Sequence, residues 1–368
     1  MAALCMRTAG EVTSDRTRRA CLLAAVCLIC GCAERGAPPG GPIDDVPPAV
    51  MTAEPADGAT RVAPGTPIRL VFSERMNRES VERALRIAPD PGRFERAWSE
   101  MELTLRLAGD APSGPLGERV VTILRTAEDR RRNRLAAPFE IAYTSGDSLP
   151  AGSIAGKLTG DSQGQARILL YPSPGPSLDS LAVTPPIRET SAAQSGEFRL
   201  ESLSTSGAAP LALFAVSQAQ RRDRLDPARD RVAVGPDSLV LAAERPRIDD
   251  ADLSLVRPDA PGSVWGRIEP PRPDAVARLH SLADSSRTLE APVDSSGAFL
   301  LESVPPGGYR LRVVAAADSG STEEPIPGVP DPLVVAPGRR VMLSKPDSLA
   351  APAPRDSTSI PDRREEER

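Results

Sequence analysis

The chain has 368 residues, of which 40 are proline and only 3% are aromatic, and its formal net charge at pH 7 is −5. That length leaves room for two or three domains, and the high proline content disfavours extensive helix. A net charge this mild on a chain this long gives no electrostatic reason to expect nucleic-acid binding.

The N-terminus carries the pattern of an export signal. Arg16, Arg18 and Arg19 precede an apolar stretch over residues 20–29, and a small residue stands before Cys32. This order is typical of a secretory signal peptide, and about ten apolar residues are too few to cross a bilayer as a helix. All five cysteines lie within the first 32 residues, so the exported chain would carry no thiol beyond Cys32 that could oxidise or cross-link.

The run Ile29-Cys30-Gly31-Cys32 resembles the lipobox of bacterial lipoproteins, with an aliphatic residue, a small residue and the modified cysteine in the family's places. The resemblance implies that residues 1–31 are a lipoprotein signal peptide and that Cys32 receives a diacylglyceryl thioether. Ala33, rather than aspartate, follows the cysteine, which favours the outer membrane, on its periplasmic or its surface face. The expected partner is therefore the membrane, which the protein would contact through the lipid anchor on Cys32.

Two segments are too polar or too rich in proline to bury a core. Residues 32–48 are dominated by proline, glycine and charged residues, which predicts an extended tether. Residues 346–368 combine prolines and charges with almost no large apolar side chains, which predicts a disordered tail.

Residues 49–146 have the pattern of a β-sandwich. Strands are predicted at four places, Ile68–Phe72, Glu102–Leu107, Glu118–Leu124 and Pro138–Tyr143. Glycine-containing turns separate them at the spacing typical of sandwiches. One helical turn is predicted over Arg78–Leu85, with Asn77 as its N-cap.

The same region resembles the bacterial Ig-like domains of S-layer proteins (SbsA-like). The matching segments are Pro47-Pro48, Glu54–Ala59, Ile68–Met76, Phe94–Trp98 and Tyr143–Gly146. In that family an Asp-x-x-Gly-Asn-x-Leu turn precedes the last strand. Here Asp129, Asn133 and Leu135 keep the pattern while Arg132 stands in the glycine place, which predicts a relaxed turn.

The second half of the chain contains an internal repeat. Three landmarks recur in the same order: Gly152–Leu158 as Gly262–Ile268, Ser195–Leu203 as Ser296–Val304, and Pro236–Leu241 as Pro330–Val335. This recurrence indicates two copies of one domain, at residues 147–258 and 259–345. If so, Phe198 and Phe299 occupy the same core position.

Both copies resemble the transthyretin-like β-sandwich known as the carboxypeptidase regulatory-like domain. The second copy carries the family's D-x-x-G-x-F and P-P-G-x-Y-x-L motifs as Asp294–Phe299 and Pro305–Leu311, whereas the first has Ala193 and Thr205–Gly207 at the corresponding places. In that family the modules are non-catalytic companions. The predicted fold class is therefore all-β, with one Ig-like and two transthyretin-like sandwiches in tandem.

The sequence is poor in catalytic and metal-binding patterns. Its one histidine, His280, lies in a predicted strand without a nucleophile motif or a zinc-ligand partner set. Asp223, Asp226 and Asp230 form a weak calcium candidate, because Ca²⁺ prefers oxygen ligands, but four interleaved arginines favour a salt-bridged loop. No catalytic residue, cofactor or firm metal site is predicted.

These features together predict a non-enzymatic, lipid-anchored cell-envelope protein that presents β-sandwich modules for structural or binding roles. An envelope protein or a glycan is the possible partner, and the alternatives are carbohydrate binding or service as an accessory subunit of an envelope enzyme. Carbohydrate binding usually relies on exposed aromatic residues, and the chain offers few beyond Trp98 and Trp265. A hydrolase could use a carboxylate such as Asp294 or Glu302, but it would need two acids that face each other across about 5 to 10 Å in a cleft.

Overall fold

The computed structural model describes residues 44–107, 117–161, 163–218, 223–236, 239–315 and 323–343. The predictions for Cys32, for the signal peptide and most of the tether, and for the tail lie outside these residues. The chain divides into two units after Asp45, and every described strand belongs to the second. Of the described residues, 47% lie in strands and 4% in helices, which confirms the predicted all-β class of tandem sandwiches. No helix in the described ranges has the length and apolar character needed to cross a membrane.

The first sandwich packs two sheets, ordered β1-β2-β5-β4 and β3-β6-β7. Its elements are β1 (Val50–Glu54), β2 (Ile68–Phe72), α1 (Arg78–Ala84), β3 (Leu85–Ala88), β4 (Phe94–Ser99), β5 (Glu102–Leu107), β6 (Glu118–Ile123) and β7 (Phe139–Thr144). Alternation along β2 buries Ile68, Leu70 and Phe72 in the core. The predicted helix is confirmed, since the Asn77 Oδ1 accepts from the Ser80 N–H at 3.3 Å. It ends one residue early because Leu85 already starts β3.

The turn before β7 keeps its hydrogen bonds despite Arg132. Arg132 adopts the left-handed conformation, with φ 74°, which costs a non-glycine residue about 1–2 kcal/mol. The Asp129 Oδ1 accepts from the backbone N–H groups of Arg131 and Asn133 at 2.6 and 2.9 Å. Burial raises the pKa of the Asp129 carboxyl, but these bonds and the Asn133 amide outweigh burial and hold it below its usual range. The expected relaxation is therefore wrong: Asp129 holds the turn in the geometry that glycine would have made easy.

The second sandwich contains sheets ordered β10-β9-β12-β13, with β14 on β12, and β11-β8-β15, with β16 on β8. Its strands are β8 (Gly152–Thr159), β9 (Ala166–Pro172), β10 (Arg188–Ser191), β11 (Glu197–Leu203), β12 (Pro210–Ser217), β13 (Arg231–Val234), β14 (Leu239–Val240), β15 (Arg247–Ile248) and β16 (Leu253–Ser254). Short 3-10 turns lie at Gln163–Gln165 and Ser206–Ala208. The surplus length of this copy lies partly between β9 and β10, where Leu181 packs on the outer face of the sheet.

The third sandwich contains sheets ordered β20-β17-β24 and β19-β18-β21-β22, with β23 on β21. Its strands are β17 (Gly262–Arg267), β18 (Ala275–Ser281), β19 (Thr288–Pro292), β20 (Ala298–Val304), β21 (Gly307–Ala315), β22 (Glu324–Pro325), β23 (Leu333–Val335) and β24 (Arg340–Met342). Its core is its own, and includes Val264, Phe299 and Leu311.

The second and third sandwiches share one pairing scheme. In each, the opening strand pairs antiparallel with the strand that carries the phenylalanine and parallel with a late short strand. Phe198 lies opposite Gly156, and Phe299 lies opposite Gly266. Both strands also contain a serine at φ 53°, Ser202 and Ser303, where the pairing shifts. The phenylalanines therefore occupy equivalent core positions, as the repeat predicted.

Candidate functional site

The three aspartates after β12 form a turn. The Asp226 N–H donates to the Asp230 Oδ2 at 2.7 Å, and the Arg229 Nε lies 3.9 Å from the Asp226 Oδ2. Asp230 is fully buried and its Oδ1 has no hydrogen-bond partner, whereas Asp223 is exposed. Their carboxylate oxygens are not all within 4.8 Å of one another. The geometry matches the salt-bridged loop better than a converged set of calcium ligands.

His280 belongs to a surface hydrogen-bond network. On the outer face of the β18–β19 pair, its Nε2 lies 3.0 Å from the Glu323 Oε1 and its Nδ1 lies 3.1 Å from the Thr288 Oγ1. Arg278 joins the same network through Glu323, whose Oε1 lies 3.6 Å from the Arg278 Nη1, and its Nε also donates to the Glu290 Oε1 at 2.8 Å. No cysteine or serine nucleophile contacts the imidazole within the described chain, so the contacts describe a stabilising layer on the sheet.

The Asp294 carboxylate accepts hydrogen bonds from residues of its own turn. Its Oδ1 accepts from the Ser296 N–H at 2.8 Å, the Ser296 hydroxyl at 2.7 Å and the Ala298 N–H at 2.9 Å. The Ser296 hydroxyl contributes most to holding the pKa of this carboxyl below its usual range. A general acid needs the opposite shift, so Asp294 is a poor candidate for the acid of a hydrolase.

Trp98 is half-buried at the edge of the first core. Its ring stacks on Phe72 at 5.9 Å between centroids, its Nε1 donates to the Glu82 Oε1 at 3.0 Å, and the Arg78 guanidinium lies 5.7 Å from the ring centroid. With one face on Phe72 and its N–H already used, Trp98 serves packing.

A polar joint links the first sandwich to the second, and nothing in the sequence patterns predicted it. All four residues of β10 are buried, although their sequence is Arg-Glu-Thr-Ser. The Glu189 carboxylate receives two bonds from Arg86 of β3, at 2.7 and 3.0 Å, and lies 3.4 Å from Arg167 of β9. The Arg188 Nη2 donates to the Glu140 Oε1 of β7 at 2.8 Å. Paired, planar contacts of this kind fix orientation as well as distance.

Backbone bonds extend the joint beyond these ion pairs. The Arg125 N–H donates to the Ser191 Oγ at 2.8 Å, and the Gln194 N–H donates to the Ala136 carbonyl at 2.9 Å. By contrast, fewer polar contacts join the third sandwich to the second among the described residues, and one of them is the Arg339 Nη1 on the Gly235 carbonyl at 2.6 Å. The first two sandwiches are therefore the more firmly joined pair.

A groove of about 870 Å³ runs beside the joint. Its floor is the outer face of β8 and β11, and Glu140 of the first sandwich forms part of its wall. Lys157, Arg199 and Asp249 line it with alternating charge, and its one aromatic residue, Phe198, is buried. Because it offers neither an apolar anchor nor one sign of charge, the groove favours no particular ligand.

The outer face of the small sheet of the third sandwich has a different character. Leu300, Trp265 and Met342 lie side by side across β20, β17 and β24, in direct register. Met342 is 46% exposed, and Trp265 and Leu300 are half-buried. We call this row the Trp265 row. Trp265 points outward because Val264 and Gly266, its chain neighbours, lie on the core side.

Polar side chains surround the Trp265 row. Ser263 and Arg340 lie on one side of it, in register, and Arg267 lies on the other. The Arg340 Nε is 3.4 Å from the Ser263 Oγ, and the Arg267 Nε donates to the Ser296 carbonyl at 2.9 Å. Glu302, next to Ser263 on β20, is exposed. Within the described ranges the Trp265 indole N–H makes no hydrogen bond.

Residues 44–145 match the family model of the bacterial Ig-like domain. The predicted Ig-like domain is therefore confirmed for this part of the chain, which is a minority of its length. No curated protein matches the sequence.

Among solved structures, the chain is similar to an Escherichia coli alpha-2-macroglobulin fragment spanning domains MG0-NIE-MG1, with 13% identity and a TM-score of 0.21, over 76% of this chain and 96% of that one. It is also similar to the minor pilin GBS52 of Streptococcus agalactiae, with 11% identity and a TM-score of 0.18, over 52% and 93%. A putative adhesin from Bacteroides ovatus shows 11% identity and a TM-score of 0.19, over 54% and 95%. TM-scores this low support no argument about function.

Proposed function

We propose that the chain is a non-enzymatic, lipid-anchored protein of the outer membrane that holds β-sandwich modules at a fixed angle for structural or binding roles. In this proposal the first sandwich is of the SbsA-like type and the other two are transthyretin-like. The observation that carries the proposal is the buried joint between the first two sandwiches. A module used only as a flexible spacer would not need Glu189 held between Arg86 and Arg167.

The buried joint favours a positioning role because of how its energy depends on geometry. Desolvating several charged groups offsets much of their mutual attraction, so such pairs add little net stability. Misplacing one partner, however, leaves a buried charge without compensation, which is strongly unfavourable. The joint therefore penalises other interdomain angles more than it stabilises the fold, as expected of a protein that presents a surface in one orientation.

The lipid anchor is proposed from the sequence around Cys32 and from the proline-rich tether that follows it. Two or more acyl chains hold a protein on a bilayer where a single chain binds only marginally. We expect Cys32→Ala to abolish incorporation of radiolabelled fatty acid and to release the protein from membranes washed with carbonate. Cys30→Ala is the matched control, because it removes a neighbouring cysteine and leaves the lipobox intact, and it should stay labelled and membrane-bound. Cys32→Ala protein that remained in the washed membrane fraction would contradict the anchor.

Service as an accessory subunit of an envelope enzyme is the alternative role, and it predicts a stable protein partner. Chemical cross-linking of intact envelopes, followed by purification of the anchored chain, separates the two roles. A stoichiometric enzyme partner would favour the accessory role, and an uncross-linked chain would favour a structural or glycan-binding one.

A further inference from the structure

The Trp265 row has no role in the joint or in the cores described above. The equivalent sheet face of the second sandwich, which is the first copy of the repeat, lacks such a row, so the two faces can be compared position by position. Superposing the two copies by their shared register places Ala155 at the position of Trp265 and Arg199 at the position of Leu300. Asp249, the residue after β15, takes the place of Met342. The second sandwich (the first copy) thus has the small residue Ala155 between two charged side chains. The third sandwich (the second copy) has Trp265 between two apolar side chains at the same places.

The rim of the face is nearly the same in both copies. Ser153, Lys157, Glu201 and Arg247 of the second sandwich correspond to Ser263, Arg267, Glu302 and Arg340 of the third. Only the central row changes character. Exposed apolar side chains lower the solubility of a protein unless they form a binding surface. The fold does not require the row, since the first copy forms the same sheet without one.

The size and shape of the Trp265 row fit a sugar ring better than a protein. A standard protein interface covers about 800 Å² on each partner and about 20–30 residues a side. Three apolar side chains across a three-stranded sheet, with charged residues around them, fall well short of that. A pyranose ring has an apolar C–H face of about the size of an indole and carries its hydroxyl groups around the edge, so a flat aromatic surface with a polar rim is complementary to it.

The rim supplies the hydrogen-bonding groups that ring hydroxyls require. Guanidinium groups only donate and carboxylates only accept, whereas a hydroxyl does both. Arg340 and Glu302 form no ion pair within the described ranges, and Arg267 spends only its Nε on the Ser296 carbonyl. The unused donors of Arg267 and Arg340, the Glu302 carboxylate and the indole N–H therefore surround the stacking surface.

We propose that the outer face of the β20-β17-β24 sheet binds a pyranose-based polysaccharide, with one sugar ring stacked on Trp265 and its hydroxyls bound by Arg267, Glu302 and Arg340. This deepens the presenting role proposed above by naming the chemical class of partner. Binding by the purified chain does not depend on the anchor, so it can succeed or fail independently of the membrane experiment.

The test measures binding of the mature chain to three soluble polysaccharides, a neutral β-glucan, a mannan and polygalacturonate, by affinity electrophoresis and calorimetry. We expect at least one to bind, with an association constant at least tenfold lower for Trp265→Ala, the residue the first copy uses. Met342→Asp, which likewise introduces the residue type of the first copy, should weaken binding by a similar factor if Trp265→Ala proves unstable. Val183→Ala, at a site 57% exposed on the second sandwich, is the matched control and should bind like the natural chain.

Three results would overturn the proposal. One is failure of the natural chain to bind any of the three polysaccharides. Another is undiminished binding by both Trp265→Ala and Met342→Asp. The third is a self-associating chain that becomes monomeric on Trp265→Ala, seen by sedimentation, because that would make the face an interface between two copies. Preference for polygalacturonate over the neutral polymers would identify the ligand as acidic, through Arg267 and Arg340.

Discussion

The second and third sandwiches are built on one strand-pairing scheme but meet different neighbours. The second places its edge strand β10 against the first sandwich, buries it, and fills the contact with ion pairs. The third has an exposed surface network around His280 on one sheet and the Trp265 row on the other. The duplicated fold thus keeps its core, while one copy packs polar side chains against another sandwich of the chain and the other keeps its polar network and its apolar row at the surface.

The turn before the phenylalanine strand shows the same divergence on a smaller scale. In both copies a backbone N–H and carbonyl close the turn, at Ala193 with Glu197 and at Asp294 with Ala298, each at 2.8 Å. The glycines Gly196 and Gly297 have φ 88° and 85°. In the first copy the Ser195 hydroxyl makes two long contacts with Glu197, at 3.3 and 3.4 Å, whereas the Asp294 carboxylate makes three shorter bonds in the second. The backbone turn is therefore common to both copies and the carboxylate is an addition in one.

The largest effect is expected from truncating the core phenylalanine of either copy, which tests whether the two copies are independent folding units. Truncating a buried phenylalanine costs about 3–5 kcal/mol. We expect Phe299→Ala to unfold the third sandwich and to leave the thermal transition of the other two in place. Phe198→Ala should unfold the second sandwich and also lower the transition of the first, because the joint couples them. Calorimetry of the two variants checks this, and an unshifted first-sandwich transition in Phe198→Ala would show that the joint transmits no stability.

A somewhat smaller effect is expected from breaking the joint itself. Glu189→Gln would remove the charge that compensates Arg86 and Arg167, and removing one partner of a buried pair costs about 3–5 kcal/mol. Since Arg86 retains some contact with solvent, with 23% of its side chain exposed, the loss should fall at the lower end. We expect the calorimetric transition of the first two sandwiches to split.

The control for the joint lies in the third sandwich. Arg272 and Glu324 form an ion pair at 2.7 Å with about half of each side chain exposed, and exposed pairs contribute about 0–1 kcal/mol. Glu324→Gln should therefore leave every transition within about a degree of the natural chain. Equal effects from Glu189→Gln and Glu324→Gln would remove the distinction between a joint and a surface pair.

The smallest expected effect concerns the Asp294 turn. Asp294→Ala removes three hydrogen bonds to one carboxylate oxygen and should destabilise the third sandwich by about 1–2 kcal/mol at pH 7. Ala193→Asp should add such bonds to the second sandwich and raise its transition slightly. The lowered pKa of Asp294 means that its contribution is present above the unfolded value near 3.9 and is lost as pH falls through the lower folded value. The stability difference between Asp294→Ala and the natural chain should therefore shrink below about pH 4.

Much of the fold follows from local patterns. Alternation placed the β2 and β5 strands, the N-cap Asn77 placed α1, and the recurring landmarks gave the shared register of the two copies. These features depend on residues close together in sequence or on a repeat visible within it. They were predictable because strand period, capping and turn geometry are local.

The joint and the Trp265 row were not predictable in the same way. The Arg-Glu-Thr-Ser sequence of β10 is typical of an exposed edge strand. In the structure the strand is buried because residues of the first sandwich, such as Arg86, pack against it. The run Phe-Leu-Leu at 299–301 does not reveal which residue faces out until the register with β17 is known. The pattern Val264-Trp265-Gly266 did contain a usable signal, since a glycine on the core side beside Phe299 leaves the tryptophan to solvent.

The fixed angle between the first two sandwiches is tested most directly by the distance distribution across the joint, measured by pulsed electron paramagnetic resonance. The chain has no cysteine after Cys32, so cysteines introduced at the exposed positions Glu95 and Asp179 of a chain beginning at Ala33 can be spin-labelled cleanly. We predict a single narrow distribution that broadens when Glu189→Gln and Glu140→Gln are added. A broad distribution in the natural joint, or a narrow one that the two substitutions leave unchanged, would contradict the claim that buried ion pairs hold the first two sandwiches at a fixed angle.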